Sequence, residues 1–273
     1  MVRTAALLFL FLLSFHSLRA FQEAKADTVP LLGMVLTEEK NSFDLLGTID
    51  ELGTKWKLEV KSEEDSDNQA AILLVDNYRI VLSEIPVAIP GSEVEKAAQF
   101  NYLWENAAEE SAQHQGHIIV SITNTGQDPI AENLLFSKVV MSVMNNSSAI
   151  GMYMGQRTLV LRKDLYEYFS ASMSTQELPL YLWLYFGLRE VDGKRSIYTY
   201  GLSDFGKQEM EILDSGKSFE ELSSLMYDMT HYVLAFDVVL KAGETIGGTA
   251  QQKLPITESP GRFLKGTTLK IAY

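Results

Sequence analysis

A predicted β-hairpin around Asp192-Gly193 restricts the fold of this chain more than any other segment. A two-residue turn between antiparallel strands requires positive φ angles, and an Asp-Gly pair adopts them readily. Leu180 to Glu190 and Ser196 to Leu202 therefore read as paired strands. Along the first strand, the leucines at even positions and Phe186 fall on one face. The other face is aromatic and carries Tyr181, Trp183, Tyr185, Tyr198 and Tyr200. Two apolar faces predict a central hairpin covered on both sides.

The aromatic face allows two interpretations. Left uncovered, it would be a flat platform for a sugar, a peptide or a partner protein, with Trp183, Tyr185, Tyr198 and Tyr200 as the ligand-binding candidates. Covered by the predicted helix at 219–236, it would be core, which is the ordinary outcome of helix-on-sheet packing. Because no polar residue interrupts Leu180 to Phe186, we expect Trp183 to be structural.

Capping signals place three helices. Asp128 followed by Pro129 predicts the start of a helix that is apolar over more than half its circumference and is therefore buried. Ser218 and Glu221 form a capping box before a helix with apolar residues at helical spacing. Ser92 and Glu95 form the same pattern and predict a helix that reaches about Ala112.

The complete pattern predicts an α+β fold, with mixed or antiparallel sheets and helices packed on them. Residues 29–122 read as β-α-β-(β-β)-α-β, close to a ferredoxin-like order with one extra strand. We expect a signal peptide at 1–26, an N-terminal α+β region at 27–115 and a C-terminal α+β domain at 116–273.

The first 26 residues have the features of an export signal. Arg3 precedes an apolar run from Ala5 to Phe15, which is too short to span a bilayer. Cleavage is expected after Ala26, with Ala20 as the alternative. The chain contains no cysteine, whereas exported eukaryotic domains usually carry disulfides, so the pattern favours the bacterial periplasm. A cytoplasmic protein with a wrongly assigned start codon is the alternative. No later segment is long and apolar enough to cross a membrane.

The charge of the chain indicates which partners it favours. The formal net charge is −13, and removal of Arg3, Arg19, Lys25 and Glu23 with residues 1–26 takes away a net +2 and leaves −15. A surface this negative repels nucleic acid and anionic lipid and favours a basic protein partner. The oligomeric state is not indicated.

Several segments near the C-terminus resemble a known, mostly bacterial family. They begin with Tyr198-Thr199-Tyr200-Gly201-Leu202 and Phe205-Gly206-Lys207, and continue through the capped helix to Gly243-Glu244-Thr245-Ile246-Gly247 and Gln252-Lys253-Leu254-Pro255-Ile256. In order and spacing they are similar to domain of unknown function 4261, best over residues 195–273. The resemblance implies an α+β domain and carries no known activity.

The acidic residues of the family-like segment are the candidates for catalysis. Asp204, Glu209, Glu211 and Asp214 could act as paired carboxylates in a hydrolase if they shared one cleft, since glycoside hydrolysis needs two of them facing the same bond. On a short amphipathic helix they would be its solvated face. The sequence has no nucleophile elbow, no Walker loop and no dinucleotide-binding motif.

His114-x-x-His117 is the one spacing typical of a metal site, with Glu109 and Glu110 upstream of it. A zinc site would need a third ligand and a second shell, and two histidines satisfied by solvent and backbone groups explain the pair as well. We predict no metal, no cofactor and no catalytic residue. A non-enzymatic binding protein is therefore the leading hypothesis, for example one that masks a basic toxin or enzyme as immunity proteins do. A hydrolase built on the 204–214 carboxylates is the alternative.

Overall fold

The computed structural model describes residues 29–62, 70–249 and 251–273. Within these ranges the chain forms thirteen strands: β1 Leu31–Thr37, β2 Val60–Ser62, β3 Ala70–Val75, β4 Tyr78–Ile85, β5 Gly116–Ile122, β6 Ala149–Met154, β7 Leu159–Arg162, β8 Tyr185–Val191, β9 Lys194–Tyr200, β10 Met210–Ser215, β11 Thr245–Ile246, β12 Leu254–Pro260 and β13 Thr267–Ile271. The same ranges contain seven α-helices: α1 Leu45–Thr54, α2 Glu93–Ala98, α3 Ala107–Ser111, α4 Pro129–Asn145, α5 Lys163–Ser170, α6 Leu180–Trp183 and α7 Phe219–Ala235. The predicted α+β class is confirmed.

The first sheet has seven strands in the order β2-β3-β4-β5-β1-β6-β7, and every neighbouring pair is antiparallel. A ferredoxin-like order would place β1 between β4 and β5. Here β5 lies between β4 and β1, so the ferredoxin-like prediction is wrong. The sheet also takes strands from both sides of the division expected between residues 115 and 116.

The second sheet has six strands in the order β11-β12-β13-β10-β9-β8. Only β10 and β13 pair in parallel, and the remaining neighbours are antiparallel. The predicted hairpin around Asp192-Gly193 is confirmed as β8 and β9, with positive φ at both turn residues.

Helix α4 packs on β1, β5 and β6 of the first sheet, and its Ser137 contacts Trp183 in the segment before β8. It begins as predicted, because the Asp128 side chain accepts hydrogen bonds from the amides of Ile130 and Ala131. Twelve of its 17 residues are buried. One cluster of buried apolar side chains runs from Leu31 to Ile271 and includes residues of both sheets.

The two predicted capping boxes have different outcomes. Ser218 and Glu221 form the complete box at the start of α7. Ser92 makes no capping hydrogen bond, because its φ of 54° is left-handed and a capping residue needs an extended backbone. The helix after Ser92 ends at Ala98 instead of near Ala112. There the Asn101 side chain accepts from the amides of Leu103 and Trp104 and turns the chain.

The signal-peptide prediction concerns residues 1–26, which lie outside the described residues. No helix in the described part of the chain has the length and apolar character needed to cross a membrane.

Candidate functional site

The β8–β9 hairpin brings three of the predicted binding residues onto one face of the second sheet. Tyr185 pairs with Tyr200, and Gly187 pairs with Tyr198. Residues at alternate positions of a strand point to the same face, and directly paired residues share it. Tyr185, Tyr198 and Tyr200 therefore form one tyrosine surface, and Arg189 continues it along β8.

Helix α7 covers the opposite face of the hairpin. Phe186 lies 6.2 Å from the ring of Tyr227 on α7, and the Arg195 guanidinium lies 5.6 Å from the ring of Phe219. Because Phe186 and Arg195 alternate with the tyrosines along their strands, the tyrosine surface faces away from α7. The expectation that α7 buries this surface is therefore wrong.

A cleft of about 220 Å³ opens over the tyrosine surface. We call it the hairpin cleft, and it is lined by Phe100, Thr158, Tyr185, Arg189, Tyr198, Tyr200 and Leu264. Phe100 is 53% exposed and Tyr200 is 36% exposed, so the cleft is open to solvent.

Arg189 occupies one wall of the hairpin cleft. Its guanidinium lies 5.4 Å from the centre of the Phe100 ring and 5.7 Å from that of Tyr198. It also donates hydrogen bonds to the Leu188 carbonyl and, at 3.2 Å, to the Tyr198 hydroxyl. The cation is thus held by aromatic faces and neutral oxygens, which leaves its charge uncompensated within these contacts.

The phenols of the cleft are suited to stacking and hydrogen bonding. The Tyr185 hydroxyl donates to the Phe100 carbonyl at 3.1 Å, and the Tyr198 ring stacks on Phe263 at 5.3 Å. Burial raises the pKa of Tyr185 and of Tyr198 above the ordinary value, although Arg189 acts in the opposite direction. Both phenols therefore stay neutral at physiological pH and can donate or accept hydrogen bonds.

Trp183 lies in the core and does not line the hairpin cleft. It is 1% exposed, its indole NH donates to the Ser137 hydroxyl of α4 at 2.9 Å, and its ring stacks on Phe205. The predicted strand starts too early, because residues 180–183 form the helical turn α6, with Leu184 N donating to the Leu180 carbonyl. An apolar run is compatible with a buried helical turn as well as with a strand, so its periodicity misleads here.

Asp204 and Glu209 hold the turn that follows β9. Asp204 pairs with the buried Arg157 at 2.8 Å. Glu209 accepts from the Thr199 hydroxyl and from the amides of Gly201 and Ser203. Burial raises the pKa of Glu209, although these hydrogen bonds lower it in part.

Glu211 and Asp214 hold the loop between β12 and β13. Glu211 is fully buried and accepts from the amides of Arg262 and Phe263 and from Thr268, with Lys270 at 3.0 Å. Burial alone would raise the pKa of Glu211, but these hydrogen bonds hold it below the ordinary value. Asp214 pairs with the Arg262 guanidinium. Residues 210–215 form strand β10 and not a short amphipathic helix, and hydrogen bonds and ion pairs within the protein engage the carboxylates of Glu211 and Asp214.

His114 and His117 also make hydrogen bonds to backbone groups of the protein. Ile89 N donates to His114 Nε2, and the His114 Nδ1 hydrogen bonds to the Ser111 carbonyl. The His117 Nδ1 bonds to the Val87 carbonyl, and burial lowers the pKa of this ring. The described ranges contain no group of three or more side chains suited to hold a metal ion.

The sequence interpretation missed Phe100, Thr158, Arg189 and Leu264. The position of Arg189 could have been predicted from the sequence, since it lies four residues after Tyr185 in a strand and therefore shares its face. The other three belong to loops distant in sequence, and no local pattern connects them with the hairpin.

The comparisons with known proteins bear on the C-terminal part of this site. Residues 198–272 match the family model described as Domain of unknown function (DUF4261), which confirms the resemblance seen in the sequence. No curated protein and no solved structure matches the chain. The matched segment includes Tyr198, Tyr200 and Leu264 of the hairpin cleft, whereas Phe100, Thr158, Tyr185 and Arg189 lie outside it.

Proposed function

We propose that this protein is a non-enzymatic binding protein whose hairpin cleft receives a side chain of a partner protein. The observation that carries the proposal is an open cleft lined by Phe100, Tyr185, Tyr198, Tyr200 and Arg189. Tyrosine and arginine dominate the energetically important positions of protein interfaces, because they offer large contact areas together with hydrogen-bonding groups.

The rings of the cleft are already fixed before a partner binds. Tyr198 is stacked on Phe263, and the Tyr185 hydroxyl is bonded to the backbone of Phe100. A ring held in place loses little conformational entropy on binding, so more of the contact energy contributes to affinity.

The net charge of −13 supports a basic partner, as in an immunity-like protein that masks a basic toxin or enzyme. Charge of opposite sign accelerates association. Because Arg189 is itself a cation, we expect the group inside the cleft to be neutral and the basic residues to surround it. Export, proposed from residues 1–26, would place this encounter outside the cytoplasm.

A hydrolase that uses the 204–214 carboxylates has less support. Glycoside hydrolysis requires two carboxylates that face a common bond. Glu209 instead accepts hydrogen bonds from the turn that follows β9, and Glu211 accepts them from the loop between β12 and β13.

Selection of peptides from a random phage-displayed library against the intact protein tests the proposal. Selected peptides should share a neutral apolar or aromatic residue flanked by lysine or arginine. Phe100→Ala and Tyr200→Ala should each weaken their binding by about 30-fold or more, the loss typical of an interface anchor. Isothermal titration calorimetry measures the change.

Phe236→Ala is the matched control, since Phe236 is 71% exposed and lies outside the hairpin cleft. It should leave the affinity unchanged, and all three variants should keep the wild-type unfolding midpoint. Peptides that bind the Phe100 and Tyr200 variants as tightly as wild type would exclude the cleft as the docking site. Hydrolysis of a bound ligand would contradict the non-enzymatic part of the proposal.

A further inference from the structure

A second, larger cavity of about 510 Å³ lies between α5, the segment before α6, and α7. We call it the α5–α7 pocket and define it by Tyr168, Phe169, Glu177, Tyr181, Tyr227 and Asp228. Leu178 and Pro179 are buried at its base. It shares no lining residue with the hairpin cleft.

Four aromatic rings follow one another along the α5–α7 pocket. The ring centres of Tyr168 and Phe169 are 5.3 Å apart, those of Phe169 and Tyr181 are 5.0 Å apart, and those of Tyr181 and Tyr227 are 5.2 Å apart. Tyr168 is 74% exposed, and Tyr181 and Tyr227 are half-buried. The series therefore runs from half-buried rings at the edge of the core to the exposed Tyr168, and all four rings line the cavity.

Two carboxylates complete the α5–α7 pocket. Glu177 precedes α6 and Asp228 lies on α7, and neither carboxylate has a hydrogen-bond or ion-pair partner in the described ranges. Among the residues that the structure describes, no lysine or arginine lines the cavity. Burial raises the pKa of Tyr227, and the negative charges of Glu177 and Asp228 raise it further. Both carboxylates are therefore close enough to influence a ring that lines the cavity.

We propose that the α5–α7 pocket binds an organic cation, an alkylammonium or guanidinium group. Aromatic faces attract cations through their quadrupole, and the attraction is largest for cations that are weakly hydrated. Glu177 and Asp228 add two carboxylates that no described residue engages in an ion pair. A metal ion has less support, since the described ranges contain no group of three or more His, Asp or Glu side chains that could hold one.

The cation could be a small free molecule or a lysine or arginine side chain of a basic partner. The inference does not depend on the hairpin cleft, because the two sites have no residue in common. Loss of one site should therefore leave binding at the other unchanged.

NMR titration of the full chain, with the Tyr181 and Tyr227 ring signals as reporters, tests the inference. The probes are choline, its neutral isostere 3,3-dimethylbutan-1-ol, and N-acetyl-lysine N-methylamide. Choline or the lysine derivative should shift these signals, and the neutral isostere should not. Tighter binding of choline assigns the pocket to free cations, and tighter binding of the lysine derivative assigns it to a partner's side chain; either outcome supports the inference.

Exposed positions provide variants that preserve the fold. Glu177→Gln and Asp228→Asn should each weaken binding by about two- to fivefold, the effect of one exposed ion pair. Tyr168→Ala should weaken it by a similar factor of about two to five through loss of one cation–π contact. Glu220→Gln, a matched charge removal on α7 outside the pocket, should have no effect.

Equal shifts with choline and 3,3-dimethylbutan-1-ol would reduce the site to an apolar cavity and overturn the inference. It would also be overturned if neither cation bound, or if Glu220→Gln weakened binding as much as Glu177→Gln and Asp228→Asn.

Discussion

Gly187 allows the Tyr198 ring to lie across the hairpin. The two residues are directly paired between β8 and β9, and a methyl group added at Gly187 would overlap the Tyr198 ring. The ring thus fills the space that a side chain at 187 would take, and its other contacts include Phe263 and Arg189. The shape of the hairpin cleft depends on this one missing side chain.

Gly187→Ala should displace the Tyr198 ring and destabilise the protein by about 1–3 kcal/mol, the usual cost of overpacking. Urea unfolding measures the stability, and the NMR signals of the Tyr198 ring report its displacement. Gly216→Ala is the control, since a methyl group there meets open space, and its effect should stay within about 0.5 kcal/mol. Wild-type Tyr198 signals in Gly187→Ala would show that the close approach does not hold the ring.

The same capping-box pattern occurs at the starts of helices α2 and α7, at Ser92 and Ser218, but only Ser218 caps its helix. Both precede a Glu by three residues. At the start of α7 the Ser218 hydroxyl accepts from the Glu221 amide at 3.1 Å, and Glu221 accepts from the Ser218 amide at 2.9 Å. At Ser92 the backbone is left-handed, so the hydroxyl cannot reach the first turn of α2.

Ser218→Ala should lower the free energy of unfolding by about 0.5–2 kcal/mol, because one amide at the start of α7 loses its acceptor. Ser92→Ala should change it by no more than about 0.5 kcal/mol, because no capping bond is lost. Urea denaturation of both variants makes the comparison. Equal losses would mean that Ser92 also caps a helix in solution.

Two acidic side chains, Glu209 and Glu211, connect segments that are distant in sequence. Their own pKa values are shifted in opposite directions. Glu211 joins β10 to β13 and to the loop at residues 262–263, and its hydrogen bonds lower its pKa. Glu209, two residues earlier, has a raised pKa because of burial. Since one apolar cluster spans both sheets, these local effects should appear in the pH dependence of global unfolding.

A carboxyl group with a lowered pKa stabilises the fold above its unfolded pKa, and that contribution is lost as the pH falls through its folded pKa. The stability advantage of wild type over Glu211→Gln should therefore shrink as the pH falls below the ordinary value of 4.5. For Glu209→Gln the difference in stability changes in the opposite direction. Because the pKa of Glu209 is raised, the free energy of unfolding of wild type should increase relative to that of this variant as the pH falls towards 4.5 from above.

Urea unfolding of wild type and both variants at a series of pH values between about 3 and 7 makes this measurement, over the range in which carboxyl groups titrate. Parallel curves for the two variants would contradict the assignment of opposite shifts to Glu209 and Glu211.

Local patterns were sufficient for several elements of the molecule. The burial of Trp183 was expected and is confirmed, although the contacts that bury it come from the distant residues Ser137 and Phe205. The Asp192-Gly193 turn, the Asp128 cap and the Ser218 capping box followed from the sequence, since each depends on residues a few positions apart. The tyrosines of the hairpin cleft, Tyr185, Tyr198 and Tyr200, followed for the same reason.

Only the tertiary structure decided which distant segments these elements contact. It placed β5 between β4 and β1, turned residues 180–183 into a helical turn, and surrounded Glu209 and Glu211 with amides from other segments. It also brought Phe100, Thr158 and Leu264 to the tyrosine surface. The sequence determined hydrogen bonds and periodicities within single elements because short-range contacts specify them. Strand order, the choice of covered face and the lining of the clefts depend on which distant surfaces pack together, and local sequence does not encode that choice.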